Sequence, residues 1–574
     1  MKQKILRRLV LLSTSFTFLM VAISLIYLAK NPVMGYEISI YSSTPIIFWI
    51  SVVLGLINGF LLVYLGITDQ IKRAHILGIF EILFVNSLVL LLSCLRNYIV
   101  CLLRGDAASY IGLVKDVVIY GNVNGDFYPL ISIVVSQLSE ISNLPIFTLA
   151  KFIPTIFYIF SVLSVYCLSK SLIHNEKYMI YSVVATTPLF FAWFSTAMYY
   201  MLLSVFALPL LFYLLTKLED WRFRLLVVIF CFAYPLFHPI TAMVVLFYLF
   251  ISYLVLKYPF INTNKLSITL LVLSSTSLMF WYLNQYALVR SLLIIVKNLF
   301  GMIPAISTVS QATYYSSKLG FSATIYTLSH LLFDEMIFYS LAVIAIYFIL
   351  FKGDTLEKKR FFPLIACFIS GTVLLIFLFS FTVTHRPDRL INLNFNMMLA
   401  PVLVAYLLYL NHKNRLKTVF LISLILLATV STYFSLYQSP LTMRANDYMT
   451  LSEYHGANWL LCSKNPLLKT AELANPIHRY SDFIYGVRFR ENRMDLKRDD
   501  ALPDHFGFTT QFDNRFPSIK DEYLVLSPYD EEAYTNIWRD VQRFNVEDLN
   551  KIDECRNTLK IFEDGGFKAY LIRS

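Results

Sequence analysis

Charge is scarce in this chain of 574 residues. Only 15% of them are Asp, Glu, Lys or Arg, against about a quarter in soluble domains, so a soluble globular protein of this length is excluded. Glycine and proline are sparse as well, 18 and 20 residues. No internal repeat or low-complexity tract is visible, which speaks against the duplicated architecture of many transporters. The 7 cysteines form no CxxC pair and no zinc-type spacing, which speaks against a thiolate metal site. No Asn-x-Ser/Thr acceptor site occurs.

What is abundant is apolar: 57% of the chain is hydrophobic and 16% aromatic. Apolar runs long enough to cross roughly 30 Å of hydrocarbon as helices recur throughout. The pattern predicts an α-helical polytopic membrane protein with about thirteen spans. Their expected limits are 9–29, 45–66, 74–94, 145–168, 178–194, 200–216, 223–237, 239–256, 266–288, 333–351, 361–382, 395–411 and 416–436. The first run follows a basic start, Met1 to Arg8, but is too long for a signal-peptide core and lacks a cleavage site, so it reads as a retained span. The seventh and eighth spans nearly touch at His238-Pro239.

Loop charge supports keeping those two spans separate. With thirteen spans, the short loops KQKILRR, IKR, KLEDWR, KGDTLEKKR and HKNR all fall on one side, while the long segments 95–144 and 289–332 carry only six Lys or Arg together. By the positive-inside rule the N-terminus is cytoplasmic and everything after Tyr437 lies outside. The net charge of +11 then belongs to cytoplasmic loops, and no nucleic-acid partner is expected. The chain is read as a multi-pass protein of the cell membrane, 1–436, with an extracytoplasmic domain, 437–574. In that second part EYLVLSP and KAYLIRS read as strands and EEAYTNIWRDVQRF as a helix, giving an α/β or α+β domain. Its cysteines, Cys462 and Cys555, could pair or remain unpaired core thiols.

Three outside segments carry polar residues where the membrane boundary should hold few. In 95–144, RGDAASYIGLVKDVV places Asp106 at a helix start, where a carboxylate gains from the helix dipole and could act as a cap, as a chemical group, or as both. The helix SYIGLVKDVVIY has one apolar face and sets Lys115 and Asp116 on another, as in a helix lying at the interface. Asp126 in NGDFYP is a weaker candidate, since that stretch is also ordinary turn chemistry. In THRPDRLINLNFN, Arg386 and Arg389 would share a side of a helical turn and could hold a phosphate or snorkel to headgroups. In HLLFDEMIFYS, Asp334 and Glu335 could ligate a metal, serve as a second acid, or cap the helix. His238, in FHPIT, more often marks a satisfied polar turn than a base.

An acidic motif in the first large outer loop, an amphipathic helix behind it, about thirteen spans and an outside C-terminal domain together resemble the C-type (GT-C) membrane glycosyltransferases. NPVMGYEISIYSSTPIIFW, RGDAASYIGLV followed by YP, FHPITA and the arginine-rich start of the twelfth span resemble archaeal membrane proteins of that type. The likeness covers most of the membrane part. It departs from the oligosaccharyltransferases themselves, with no DxD in the first outer loop and no WWDYG-like signature.

The resemblance implies a sugar donor carried on a polyprenyl phosphate or pyrophosphate and an acceptor that is a glycan, lipid or protein. It gives Asp106 the role of general base, or of ligand to a divalent metal such as Mg or Mn together with Asp334 and Glu335. Arg386 and Arg389 would neutralise the departing lipid phosphate, with Arg104, Tyr110 and His238 as further substrate-contacting candidates. A lipid-linked glycan polymerase or ligase belongs to the same class. The alternatives are a transporter or flippase and a non-catalytic surface-glycan assembly protein.

Overall fold

A computed structural model describes residues 2–574 except 101–103, 124, 258–267, 287, 291–292, 294–296, 298–315, 318–319, 382–393, 475, 492, 498–501, 509–513 and 519. Arg386 and Arg389, and most of the 289–332 loop, lie outside the described residues.

The chain is mainly helical. Its major helices are α1 (Lys2–Lys30), α2 (Ile46–Ile67), α3 (Ala74–Leu90), α4 (Asp106–Tyr120), α5 (Pro129–Ser142), α6 (Ile146–Leu172), α7 (Glu176–Thr186), α8 (Tyr200–Phe206), α9 (Leu208–Leu215), α10 (Trp221–Phe237), α11 (Pro239–Leu256), α12 (Ile268–Leu283), α13 (Phe321–Lys352), α14 (Thr355–Phe381), α15 (Ala400–Asn411) and α16 (Arg415–Ser435). Among the described residues seven helices are long and apolar enough to cross a membrane: α1 from Ile5, α2, α6, α11, α13, α14 to Phe377, and α16.

Every span expected from hydropathy contains helix, but several are short. The stretch 178–194 is helical only to Thr186, where Pro188 and a 3-10 turn at Ala192–Thr196 take over. The stretch 200–216 divides at Ala207, just before Pro209. Proline lacks the N–H that would continue the ladder. The same chemistry separates α10 from α11: His238 is extended (φ −165, ψ 119) and Pro239 opens the next helix.

Small residues bring α2 and α3 together. A Cβ on Gly78 would lie 2.5 Å from the carbonyl oxygen of Gly59, so the two backbones touch, as small-residue positions permit in membrane helices. The Asn58 amide donates to the buried Glu81 carboxylate at 2.8 Å across the same crossing.

Loops expected on one side of the membrane meet one another. Arg96 pairs with Glu37, the Asn446 amide donates to Glu37 O at 2.9 Å, and Val100 and Met449 form an antiparallel bridge. On the other side Lys177 pairs with Asp69 at 2.9 Å and Arg360 donates to Leu172 O at 2.8 Å.

After Tyr437 come α17 (Leu451–Ser463), α18 (Ile477–Tyr485), α19 (Val487–Glu491), α20 (Pro528–Glu532), α21 (Val546–Glu554) and strands β1 (Thr470–Glu472), β2 (Glu522–Leu526), β3 (Thr558–Glu563) and β4 (Lys568–Ile572). The sheet order is β1-β2-β4-β3, with β1 parallel to β2 and the other pairs antiparallel. Both expected strands are present. The expected helix in EEAYTNIWRDVQRF is not continuous: α20 gives way to a π-turn at Ala533–Ile537 and a 3-10 turn at Arg539–Val541. The extra residue in the turn lets Trp538 donate its indole N–H to Met443 O at 3.0 Å. Cys462 is exposed and Cys555 buried, and no disulfide joins them; Cys555 Sγ donates to Lys551 O at 3.1 Å.

Candidate functional site

The site assembles where the first large loop meets the C-terminal segment. Asp106 is the first residue of α4, and Gly105 takes the cap position. The carboxylate therefore does not cap its own helix through the side chain, which removes the simple capping reading. It faces Arg479 of α18 instead, Oδ1 to Nη2 at 2.6 Å. With 44% of its side chain accessible and Arg479 at 23%, the pair is open to an incoming ligand. Arg479 also donates to Ser109 Oγ, one helical turn along α4, and Ser109 donates to the buried Asp482.

The rest of α4 is docked rather than afloat at a headgroup surface. Its Lys115–Asp116 side, expected to face outward, packs on α18 and α19. Lys115 Nζ donates to Ile484 O at 3.0 Å. Asp116 Oδ2 accepts the backbone N–H groups of Val487 at 2.9 Å and Arg488 at 3.0 Å, capping α19 from outside. A Cβ on Gly112 would lie 2.3 Å from Asp482 O, so only glycine admits this backbone contact. Asp482 is fully buried and held by Arg490 at 2.7 Å. Burial pushes its carboxyl up against the downward pull of Arg490.

Arg104, two residues before Asp106, is enclosed. Its guanidinium meets Asp447 at 3.0 Å and Glu453 at 2.7 Å and lies 3.7 Å over the Tyr529 ring. Glu453 also accepts from Tyr480. Beside this cluster Asp530 accepts the N–H of Ala474 at 2.8 Å and of Ser527 at 2.8 Å. Burial pushes the Asp530 carboxyl up to about 6. The guanidinium of Arg104 thus fastens the loop to the C-terminal segment, which spends the side chain on structure.

Tyr110 and His238 share one aromatic basin beneath α4. Tyr110 stacks on Tyr200 at 4.0 Å between ring centres and meets Tyr199 at 5.9 Å and Tyr128 at 6.4 Å. Tyr128 in turn lies 5.0 Å from His238. Asp126 anchors the basin: it accepts the N–H of Tyr128 at 2.7 Å and the hydroxyl of Ser132, which also bonds Tyr200 at 2.7 Å. Burial raises its carboxyl above the usual range.

Asp334 and Glu335 are buried in α13 with other partners, Thr432 at 2.7 Å and Asn394 at 2.9 Å. Among the described residues no three His, Cys, Asp or Glu side chains come together to hold an ion, and Asp106 stands beside a cation. The expected divalent-metal set of Asp106, Asp334 and Glu335 does not assemble among the described residues.

The residues that sequence reasoning missed are Arg479, Ser109 and Asp482. Arg479 lies 373 positions from Asp106, in the unremarkable NPIHRYSDF, so no local pattern announces the pair.

No protein-family profile matches the sequence, and no curated protein does. Among solved structures the chain is similar to the Archaeoglobus fulgidus oligosaccharyltransferase, crystallised in complex with Zn and sulfate. Identity is 12% and the TM-score 0.47, over 85% of this chain and 72% of that chain. The functional reading therefore rests on the geometry.

Proposed function

We propose that this protein is a membrane glycosyltransferase that takes a sugar from a polyprenyl-phosphate-linked donor and delivers it, on the outer face of the membrane, to a glycan, lipid or protein acceptor. The N-terminus is cytoplasmic in this reading, and the domain boundary falls at 436/437. The observation that carries it is the half-open Asp106–Arg479 pair, in which the first outer loop and the C-terminal segment present one carboxylate and one guanidinium together.

In the reaction an acceptor hydroxyl attacks the anomeric carbon, its proton passes to Asp106, and the bond from that carbon to the phosphate oxygen breaks with its electron pair. Negative charge grows on the lipid phosphate, where a preorganised cation contributes most. Arg386 and Arg389 are assigned that work, and Arg479 holds Asp106 toward the acceptor. General-base catalysis of this kind contributes typically 10²–10⁴-fold.

The test is transfer of labelled sugar from a polyprenyl-linked donor pool in membranes carrying wild type or Asp106→Asn. The substitution keeps the size of the side chain and removes the base. Transfer by the wild type that falls at least a hundredfold in the variant, at equal expression, supports the assignment. Equal transfer in both overturns it and moves the search to Asp334 and Glu335.

A further inference from the structure

A groove of about 560 Å³ runs between α13, α15 and α16, on elements that carry none of the Asp106 seam. Phe333, Ile337, Leu341 and Phe348 of α13 line it, together with Leu407 of α15 and Leu421 of α16. Phe333 and Phe348 are about 22 Å apart along the helix at 1.5 Å per residue. The groove opens sideways: Ile344 is 44% and Phe420 62% exposed, and both α13 and α16 are long and apolar enough to cross a membrane.

Its lining is polar at the α15–α16 turn. Asn411 ends α15 and Lys417 lies in the first turn of α16. Between them stand Lys413 and Arg415, both exposed, and no acidic residue occurs from 411 to 417. The α16 N-terminus, capped by Asn414, adds its positive dipole end. An apolar trough with Lys417 in its lining and two more cations exposed on the adjoining turn matches the chemistry of an amphiphile with an anionic head.

We infer that this groove is a binding site for one anionic phospholipid of the leaflet on the side of the 411–415 turn. The acyl chain lies along α13, and the phosphate is held by Lys417 and Asn411. A zwitterionic lipid fits the same trough and offers the same phosphate, but sets its own quaternary ammonium against the lysines and arginine of the turn. The inference is independent of the transfer reaction, since the turn belongs to the loop set opposite the Asp106 seam.

The test uses the full chain purified in mild detergent and offered equimolar dioleoyl-phosphatidylglycerol and dioleoyl-phosphatidylcholine, with bound lipid read by native mass spectrometry. The wild type is expected to retain the glycerol lipid about fivefold over the choline lipid, as attraction to one well-placed lysine gives. Lys417→Glu, an exposed change, abolishes or reverses that preference, since it removes the attraction and adds a repulsion. Ile344→Trp fills the trough and lowers both adducts, with melting in the same detergent reporting the fold. Equal retention in the wild type, a preference that survives Lys417→Glu, or a co-purified polyprenyl phosphate in place of a phospholipid would each overturn the assignment.

Discussion

Two arginines near the seam hold different jobs, and substitution separates them. Arg104 is enclosed between Asp447 and Glu453, with 7% of its side chain accessible. Arg104→Met keeps the bulk of the side chain and leaves two buried carboxylates without their cation, a loss of about 3–5 kcal/mol for a broken buried pair. Thermal unfolding in detergent should register it as a large drop. Arg479 pairs with the half-open Asp106, where an ion pair contributes about 0–1 kcal/mol, and also donates to Ser109. Arg479→Ala should therefore lower the melting temperature less than Arg104→Met does, while lowering sugar transfer by tens of fold.

Asp530 adds a pH dependence whose sign follows from its burial. Its folded value, about 6, lies above the ordinary aspartate value of 3.8. The folded state thus holds the proton more tightly, and the contribution is fully present below about 3.8 and lost as pH rises from there to about 6. At 1.36 kcal/mol per unit the whole effect is about 3 kcal/mol. Asp530→Asn cannot titrate, so the difference in melting temperature between about pH 4 and about pH 7 should shrink in the variant. An undiminished difference would place the titration elsewhere.

The element that matters most is α4. Its amphipathic pattern was legible, and so was its start at Asp106. Its environment was not, because a polar stripe serves equally to face headgroups or to dock polar partners. The structure uses Asp116 to cap α19 and Gly112 to admit the backbone of α18. Gly112→Leu should force α4 off α18 and make the seam accessible. Limited proteolysis within 476–491 reads that opening, and unchanged cleavage would show that the contact is dispensable. The turn types in the C-terminal part were equally hidden. The π-turn at Ala533–Ile537 leads into Trp538, whose indole N–H reaches Met443 across 95 positions, a contact that helical periodicity cannot express.

For the whole molecule, topology is the property most open to a direct check. Cys462 is the exposed cysteine among those described. In a variant that keeps Cys462 alone, a membrane-impermeant maleimide should label intact cells. A single cysteine placed at Lys413 should label only after permeabilisation. The reverse pattern would invert the orientation and with it the outer-face assignment.

Sequence by itself determined the helical class, the presence of helix in every apolar run and the uneven distribution of loop charge, because hydropathy and charge act locally along the chain. It also brought forward Asp106, since a lone acid between apolar runs stands out without any knowledge of its neighbours. Only the tertiary structure decided what Asp106 faces, that Arg104 is enclosed, and that Asp334 and Glu335 keep other partners. Those outcomes depend on contacts between residues far apart in the chain, from the 59 positions between Glu335 and Asn394 to the 373 between Asp106 and Arg479. Burial and pairing are set by which surfaces meet, and a linear pattern carries no record of that.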